Sequence, residues 1–129
     1  MTTWTSDELS KIGRAEELQI ASLRRDGMLR NPVIIWVVSL GDDLYIRAIN
    51  GRTSAWFRGT QVRHGGHIRA GGVDKDVTFV EESDPEINAK IDIAYRTKYR
   101  HYGARYVTPV VTPEARTATI KLVPRSIGS

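Results

Sequence analysis

The sequence predicts a mainly β fold with added helices: a small split β-barrel of about six antiparallel strands, one long helix and short flanking helices. Three observations predict this α+β class. Short segments with alternating apolar residues recur along the chain, and glycine-containing pairs typical of hairpin turns separate several of them. Only the segment after Asp84 has the length and periodicity of a long helix. We therefore expect a curled antiparallel sheet whose open end or seam the helix covers.

Composition limits the possible classes of protein. The 129 residues suit a single domain, residues 1–129, and 40% hydrophobic residues can supply a core. The formal charge of +4 favours anionic small molecules but is mild for a nucleic-acid-binding arm. The absence of cysteine excludes disulfides and thiolate catalysis. No segment reads as a signal peptide or membrane span, so we expect a cytoplasmic protein without a membrane partner.

The first element is a short helix. Thr5 and Glu8 have the spacing of a capping box, and Trp4 and Leu9 have that of a hydrophobic staple. Gly13 marks the expected end of this helix.

Three strands follow. Residues 16–25 alternate as a strand, and the Asp26-Gly27 pair predicts a tight hairpin. The return strand continues through residues 33–38, where both faces are apolar, so each face must be covered by the barrel interior, a helix, a ligand or another subunit. After a glycine-containing turn, residues 44–50 form the third strand, with Tyr45 and Arg47 on one face.

The segment after the third strand is the strongest candidate for a ligand site. A glycine-containing turn leads into a helix start that carries Arg52, Thr53 and Ser54. Backbone N–H groups at a helix start favour an anion, and Arg47 and Arg52 add positive charge nearby. The alternative interpretation is that Ser54 only caps a surface turn while the arginines are solvated.

The second half of the chain contains four more predicted elements, which are three strands and the long helix. Residues 67–70 and 73–81 read as strands joined by Gly71-Gly72, another hairpin-compatible pair. Asp84 is a good cap for the long helix, with Pro85 at its first position and Gly103 at its stop. The final strand is predicted over residues 115–123, with a short extra piece at residues 107–111.

Several of these segments carry a family resemblance. The order of motifs is similar to that of the flavin-binding split-barrel superfamily, which includes pyridoxamine-phosphate-oxidase-like and deazaflavin-dependent oxidoreductase-like proteins. The chain resembles still more closely a small bacterial family of unknown function that is assigned to that superfamily. The segments that carry this closer resemblance are Leu44-Tyr-Ile-Arg47, Ala55-Trp-Phe-Arg58, Arg69-Ala-Gly-Gly72 and Ala94-Tyr-Arg-Thr-Lys-Tyr99. The similarity spans nearly the whole chain. It implies a homodimer with an anionic cofactor, FMN or a deazaflavin, in a groove at the subunit interface.

On this interpretation the protein performs hydride-transfer chemistry in which the cofactor ring carries the reactivity, so no catalytic side chain is assigned. The candidate cofactor-binding residues are the anion ligands Arg47, Arg52, Thr53 and Ser54, the groove wall Trp56, and the rim residues Lys98 and Tyr99. The chain lacks the compact run of basic and hydroxyl side chains that grips flavin phosphate in the oxidase branch, and the glycine-arginine-serine-glycine loop of many deazaflavin-dependent relatives.

Two other classes of function remain open. The first is a noncatalytic ligand-binding or interaction protein that keeps the barrel without using a cofactor. The second is nucleic-acid binding through residues 95–106, which interleave four cations with four tyrosines. Cations at a helix end and tyrosines packed on the barrel explain the same pattern. We expect no metal site, because His64, His67 and His101 have no third ligand at motif spacing.

Overall fold

The structure is a computed structural model that describes residues 3–125. It contains seven strands, five α-helices and three short 3₁₀ turns. The strands are β1 (Leu18–Ser22), β2 (Val33–Ile35), β3 (Val38–Leu40), β4 (Asp43–Arg47), β5 (Gly65–Ala70), β6 (Val73–Glu81) and β7 (Thr119–Pro124). The helices are α1 (Ser6–Arg14), α2 (Ala55–Arg63), α3 (Pro85–Tyr99), α4 (Ala104–Val107) and α5 (Pro113–Arg116). The 3₁₀ turns are Gly51–Thr53, Arg100–Tyr102 and Thr108–Val111.

The strands form one curled antiparallel sheet in the order β2-β1-β5-β6-β7-β4-β3. The two edge strands, β2 and β3, are separated along the chain only by Trp36 and Val37. They are therefore the two halves of one bent strand, which pairs with β1 at one end and with β4 at the other. Counted in this way the barrel has six strands, which confirms the predicted α+β split barrel. The prediction of an unbroken strand over residues 33–38 was wrong.

The two faces of β4 are covered differently, as its alternation predicts. Leu44 and Ile46 point into the barrel and join its central core cluster. Tyr45 and Arg47 lie on the opposite face, beneath α3, where Tyr45 joins a second cluster with Ile91 of that helix. The long helix therefore covers one side of the barrel with its own apolar face.

The helix signals are mostly confirmed. Thr5 and Glu8 form the capping box of α1, which runs through Gly13 to Arg14. The Asp84 side chain caps α3, accepting from the N–H groups of Glu86 and Ile87. Gly103, with φ of +86°, ends the 3₁₀ turn that follows α3.

The region before the last strand differs from the prediction. Residues 107–111, predicted as a short strand, are helical. Residues 115 and 116, predicted as the start of the last strand, belong to α5, and β7 begins only at Thr119. Pro109 and Pro113 occupy first-turn positions of helical segments, and Thr112 caps α5. The helical structure of residues 107–111 thus agrees with the proline and capping signals rather than with a strand period. Within residues 3–125, no helix has the length and apolar character needed to cross a bilayer.

Candidate functional site

A cleft of about 360 Å³ lies where the bent strand, the end of β4 and the start of α2 meet. Two tryptophans line it, Trp36 from the bend and Trp56 from the first turn of α2. Its other lining residues are Val33, Ile34, Ile35, Arg47, Ile49, Asn50, Ser54, Tyr106 and Val110. An aromatic and aliphatic cleft with a few polar groups at one end has the character of a small-molecule site. A broader basin next to it shares Ile49 and Asn50 but is more open to solvent.

Arg47 borders this cleft but is a buried structural residue. Its Nε donates to Thr119 Oγ1 at 2.9 Å. One terminal nitrogen donates to the Asp92 carboxylate and to the Val110 carbonyl, and the other donates to the carbonyl and the side-chain oxygen of Asn88. A guanidinium has five N–H donors, and these five bonds use them all. Arg47 therefore has no donor left for an anionic ligand.

Arg52 and Thr53 lie outside the cleft. Arg52 is exposed, pairs with Glu81 and donates to the Thr117 carbonyl at 2.9 Å. The hydrogen bond from Arg52 lowers the pKa of Glu81 below its ordinary value. The hydroxyl of Thr53 donates to the Asn50 carbonyl at 3.2 Å. Both residues stabilise the turn before α2, and neither is among the lining residues of the cleft.

Ser54 is the N-cap residue of α2, at the helix start that the sequence predicts, and it is one of the lining residues of the cleft. Its side chain makes no capping hydrogen bond. The first N–H groups of an α-helix have no acceptor within the helix, and the helix dipole places partial positive charge there. The polar end of the cleft is therefore a place where an anion is favoured without any arginine.

Lys98 and Tyr99 lie behind the cleft wall instead of on its rim. The Tyr99 ring stacks on Trp36 with 3.9 Å between ring centroids and an angle of 3° between their planes. Lys98 Nζ donates to the Val37 carbonyl at 2.6 Å, and burial lowers the pKa of Lys98 to about 8. Neither side chain is among the lining residues.

The cationic segment 95–106 is only partly a surface. Tyr95 and Tyr99 are fully buried as members of the second core cluster. Tyr102 and Tyr106 are about half exposed, and the Tyr102 hydroxyl donates to the Glu16 carboxylate. Two of the four tyrosines are therefore inaccessible to a stacked base.

Sequence reasoning missed the residues that surround Arg47. Asn88, Asp92, Ile91 and Tyr95 are all buried on the same side of α3. An amide and a carboxylate at core-facing positions of an amphipathic helix call for buried polar partners. The positions of Asn88 and Asp92 on the core-facing side of α3 could therefore have predicted a buried polar partner. Arg47 was the candidate, because it is the basic residue of the otherwise largely apolar strand β4.

A second polar cluster lies on the outer face of β5 and β6. His67 Nδ1 is 2.7 Å from Asp76 Oδ1, and its Nε2 contacts the Asp74 carboxylate. Arg69 Nε donates to the other oxygen of Asp74 at 2.9 Å. Burial disfavours a charged imidazole, but the hydrogen bonds to Asp76 and Asp74 outweigh it and raise the pKa of His67 above its ordinary value of 6.5.

This cluster predicts a pH-dependent contribution to stability. Because the folded-state pKa of His67 is raised, its contribution should be fully present below about pH 6.5 and disappear as the pH rises through the folded-state pKa. The melting temperature of the protein should exceed that of His67→Gln at about pH 5, and the difference should shrink as the pH rises through the raised pKa of His67. A gap between the two curves that stays constant with pH would contradict this expectation.

The comparisons with known proteins agree with this architecture. Residues 8–122 match the model of a family described as uncharacterized protein conserved in bacteria (DUF2255). No curated protein matches the chain in sequence.

Similar folds occur among solved structures. A putative pyridoxamine 5'-phosphate oxidase from Listeria innocua is 13% identical with a TM-score of 0.62, covering 92% of this chain and 90% of its own. An F420 reductase is 13% identical with a TM-score of 0.56, covering 91% and 92%. An FAD-binding protein from Mesorhizobium loti is 14% identical with a TM-score of 0.56, covering 96% and 92%. At these identities the likeness concerns the fold.

Proposed function

Because this chain belongs to the bacterial DUF2255 family and has a split-barrel fold, we propose that its cleft binds the ring system of a flavin-type cofactor, FMN or a deazaflavin such as F420. The observation that supports this proposal is the composition of the cleft, which combines two tryptophans and aliphatic walls with a polar end at Ser54. An F420 reductase and an FAD-binding protein with similar folds support this choice of ligand.

The lining residues fit a flat ring with a short anionic tail. Trp36, Trp56, Ile35 and Val110 offer apolar surface to the ring. Ser54 and the first N–H groups of α2 offer donors to the anion. Arg47 does not fit the role of an anion ligand, because all its donors bind protein atoms.

The chemistry that such a group supplies when bound is hydride transfer. The role of the protein is then to orient the ring, exclude water from one side of it and neutralise its anion. Arg47 and Tyr106 are the titratable side chains among the lining residues of the cleft. Arg47 is buried and hydrogen-bonded to protein atoms, so Tyr106 is the titratable group that remains for a ligand. This scarcity also suits the alternative of a barrel that binds its ligand without turnover.

We also propose that the protein forms a homodimer, in which a second copy of the chain covers the cleft. Val33, Ile34 and Ile49 lie at the mouth of the cleft and are exposed, with Ile34 at 57% and Ile49 at 49%. Exposed apolar residues that border a ligand cleft favour association with another apolar surface. A homodimer would cover this mouth and enclose the ligand. Native mass spectrometry of the untreated protein tests the dimer, and a monomer at micromolar concentration would contradict it.

Titration with FMN and with F420, followed by tryptophan fluorescence, tests the proposed ligand. We expect saturable quenching by at least one of the two, and loss of it in Trp56→Ala, because that variant removes one aromatic wall. A folded protein that binds neither cofactor at micromolar concentration would overturn the proposal. Hydride transfer between bound cofactor and a reductant then separates an enzyme from a binding protein.

The role of Ser54 at the polar end of the cleft can be tested separately. Ser54→Ala should weaken FMN binding by about tenfold, which corresponds to one hydrogen bond to a charged group, and leave riboflavin binding unchanged, because riboflavin lacks the phosphate. Arg52→Ala is the matched control, since Arg52 is two residues away but points to Glu81. Equal losses for FMN in the two variants would argue against Ser54 as the anion site.

A further inference from the structure

The bend between β2 and β3 leaves backbone groups without sheet partners. β2 pairs with β1 through Ile35, and β3 pairs with β4 from Val38 onward. Val37 lies between these ladders and is fully buried. A buried N–H or carbonyl without a partner costs free energy comparable to a lost hydrogen bond, so the bend needs partners from elsewhere in the chain.

The end of α3 supplies those partners. Tyr99 Oη accepts a hydrogen bond from the Val37 N–H at 3.2 Å. The same hydroxyl lies within donating distance of the Glu16 carbonyl, at 2.9 Å, and of the Val37 carbonyl, at 3.1 Å. Lys98 Nζ donates to the Val37 carbonyl at 2.6 Å. Lys98 binds the Val37 carbonyl, so the single hydroxyl proton of Tyr99 is available to Glu16. The N–H and the carbonyl of Val37 then both have hydrogen-bond partners.

The Tyr99 ring also touches the cleft wall directly. It stacks on the Trp36 ring at 3.9 Å, and Trp36 precedes the clamped residue Val37. We infer that Tyr99 and Lys98 are positioning residues, which hold the bend at Val37 and thereby fix Trp36 as one wall of the cleft. The link to a ligand rests on the proposed function, whereas the link to Trp36 rests on these contacts alone.

Tyr95 offers a matched control on the same helix. It lies one turn before Tyr99, and both residues are fully buried in the same core cluster. The buried Tyr95 hydroxyl has no hydrogen-bond partner among the described residues. Tyr95→Phe therefore removes a hydroxyl that does not bind the bend, and Tyr99→Phe removes one that does, while both keep the aromatic ring.

Amide hydrogen exchange and indole spectra of the ligand-free protein test the positioning role. In Tyr99→Phe the Val37 amide should exchange at least about tenfold faster relative to the amide of Ile46, because it loses its acceptor. The indole N–H signal of Trp36, assigned through Trp36→Phe, should shift or broaden. Lys98→Met, which keeps the length of the side chain without its donor, should shift the same signal. Tyr95→Phe should change neither the Val37 exchange nor the Trp36 signal.

Binding of FMN connects the bend to the cleft. We expect Tyr99→Phe to weaken FMN binding by about threefold to tenfold, the range for one neutral hydrogen bond, and Tyr95→Phe to leave it unchanged. Unchanged Val37 exchange and Trp36 signal in Tyr99→Phe would overturn the inference, as would equal effects in the two variants. A shifted Trp36 signal with unaltered FMN affinity would overturn the link to the cleft. If the unmodified protein does not bind FMN or F420, the proposed function fails, and the comparison of spectra still decides the role of Tyr99.

Discussion

Replacement of Asp92 by alanine should lower the free energy of unfolding by about 3–5 kcal/mol, the range observed when one partner of a buried ion pair is removed. Asp92 is 1% exposed and binds Arg47 with one carboxylate oxygen and Arg116 with the other. Without the carboxylate, the Arg47 guanidinium would stay buried among the neutral acceptors Asn88, Thr119 and Val110. Urea denaturation at neutral pH, with the slope compared between variants, measures the loss.

Arg52→Ala is the appropriate control for this prediction. It removes an arginine that also pairs with a carboxylate, Glu81, but both side chains are about half exposed. Exposed ion pairs contribute about 0–1 kcal/mol, so Arg52→Ala should change stability by less than about 1 kcal/mol. A loss in Asp92→Ala as small as that in Arg52→Ala would show that the buried network around Arg47 does not hold α3 on the barrel.

The two arginines also show what sequence can and cannot predict about this site. The alternation of β4 correctly placed Tyr45 and Arg47 on one face, but alternation does not say what covers that face. The answer depends on Asp92, which is 45 residues away in the sequence. The helix start at Ser54 could be predicted because capping and turn signals are local features, whereas a ligand-binding role for Ser54 or Trp56 stays a prediction.

The bend of the barrel was unpredictable for a related reason. Residues 33–38 are uniformly apolar and carry no glycine, proline or charge to mark a break. At the break Val37 is hydrogen-bonded to Tyr99 instead of to a neighbouring strand, and these residues are 62 positions apart. By contrast, the misassigned strand at residues 107–111 had local signals, Pro109 and Thr112, that outweigh its three valines.

The second large effect should come from Phe57→Ala. Phe57 is 1% exposed and packs in the central core cluster of the barrel. Truncation of a buried phenylalanine to alanine costs about 3–5 kcal/mol, because transfer free energy is lost and a cavity remains. Phe57 is also three residues after Ser54, so it anchors the first turn of α2, which carries the polar end of the cleft. We therefore expect the variant to lose both stability, measured by urea denaturation, and affinity for FMN at temperatures where it remains folded.

Two further variants test whether the stability lost in Phe57→Ala comes from the buried ring that anchors α2 rather than from a change in the intrinsic stability of α2. Val62→Ala, on the same helix at a position that is 39% exposed, should cost less than about 1 kcal/mol, because little buried surface is removed. Phe57→Leu should recover a large part of the stability lost in Phe57→Ala, since leucine refills much of the cavity. The nearby Gly59 allows α2 to lie close to β1, because a Cβ atom there would come within 2.7 Å of Ser22 Oγ. If Phe57→Ala lowered stability no more than Val62→Ala, the close contact at Gly59 rather than the phenylalanine ring would be what fixes α2, and with it the candidate anion site.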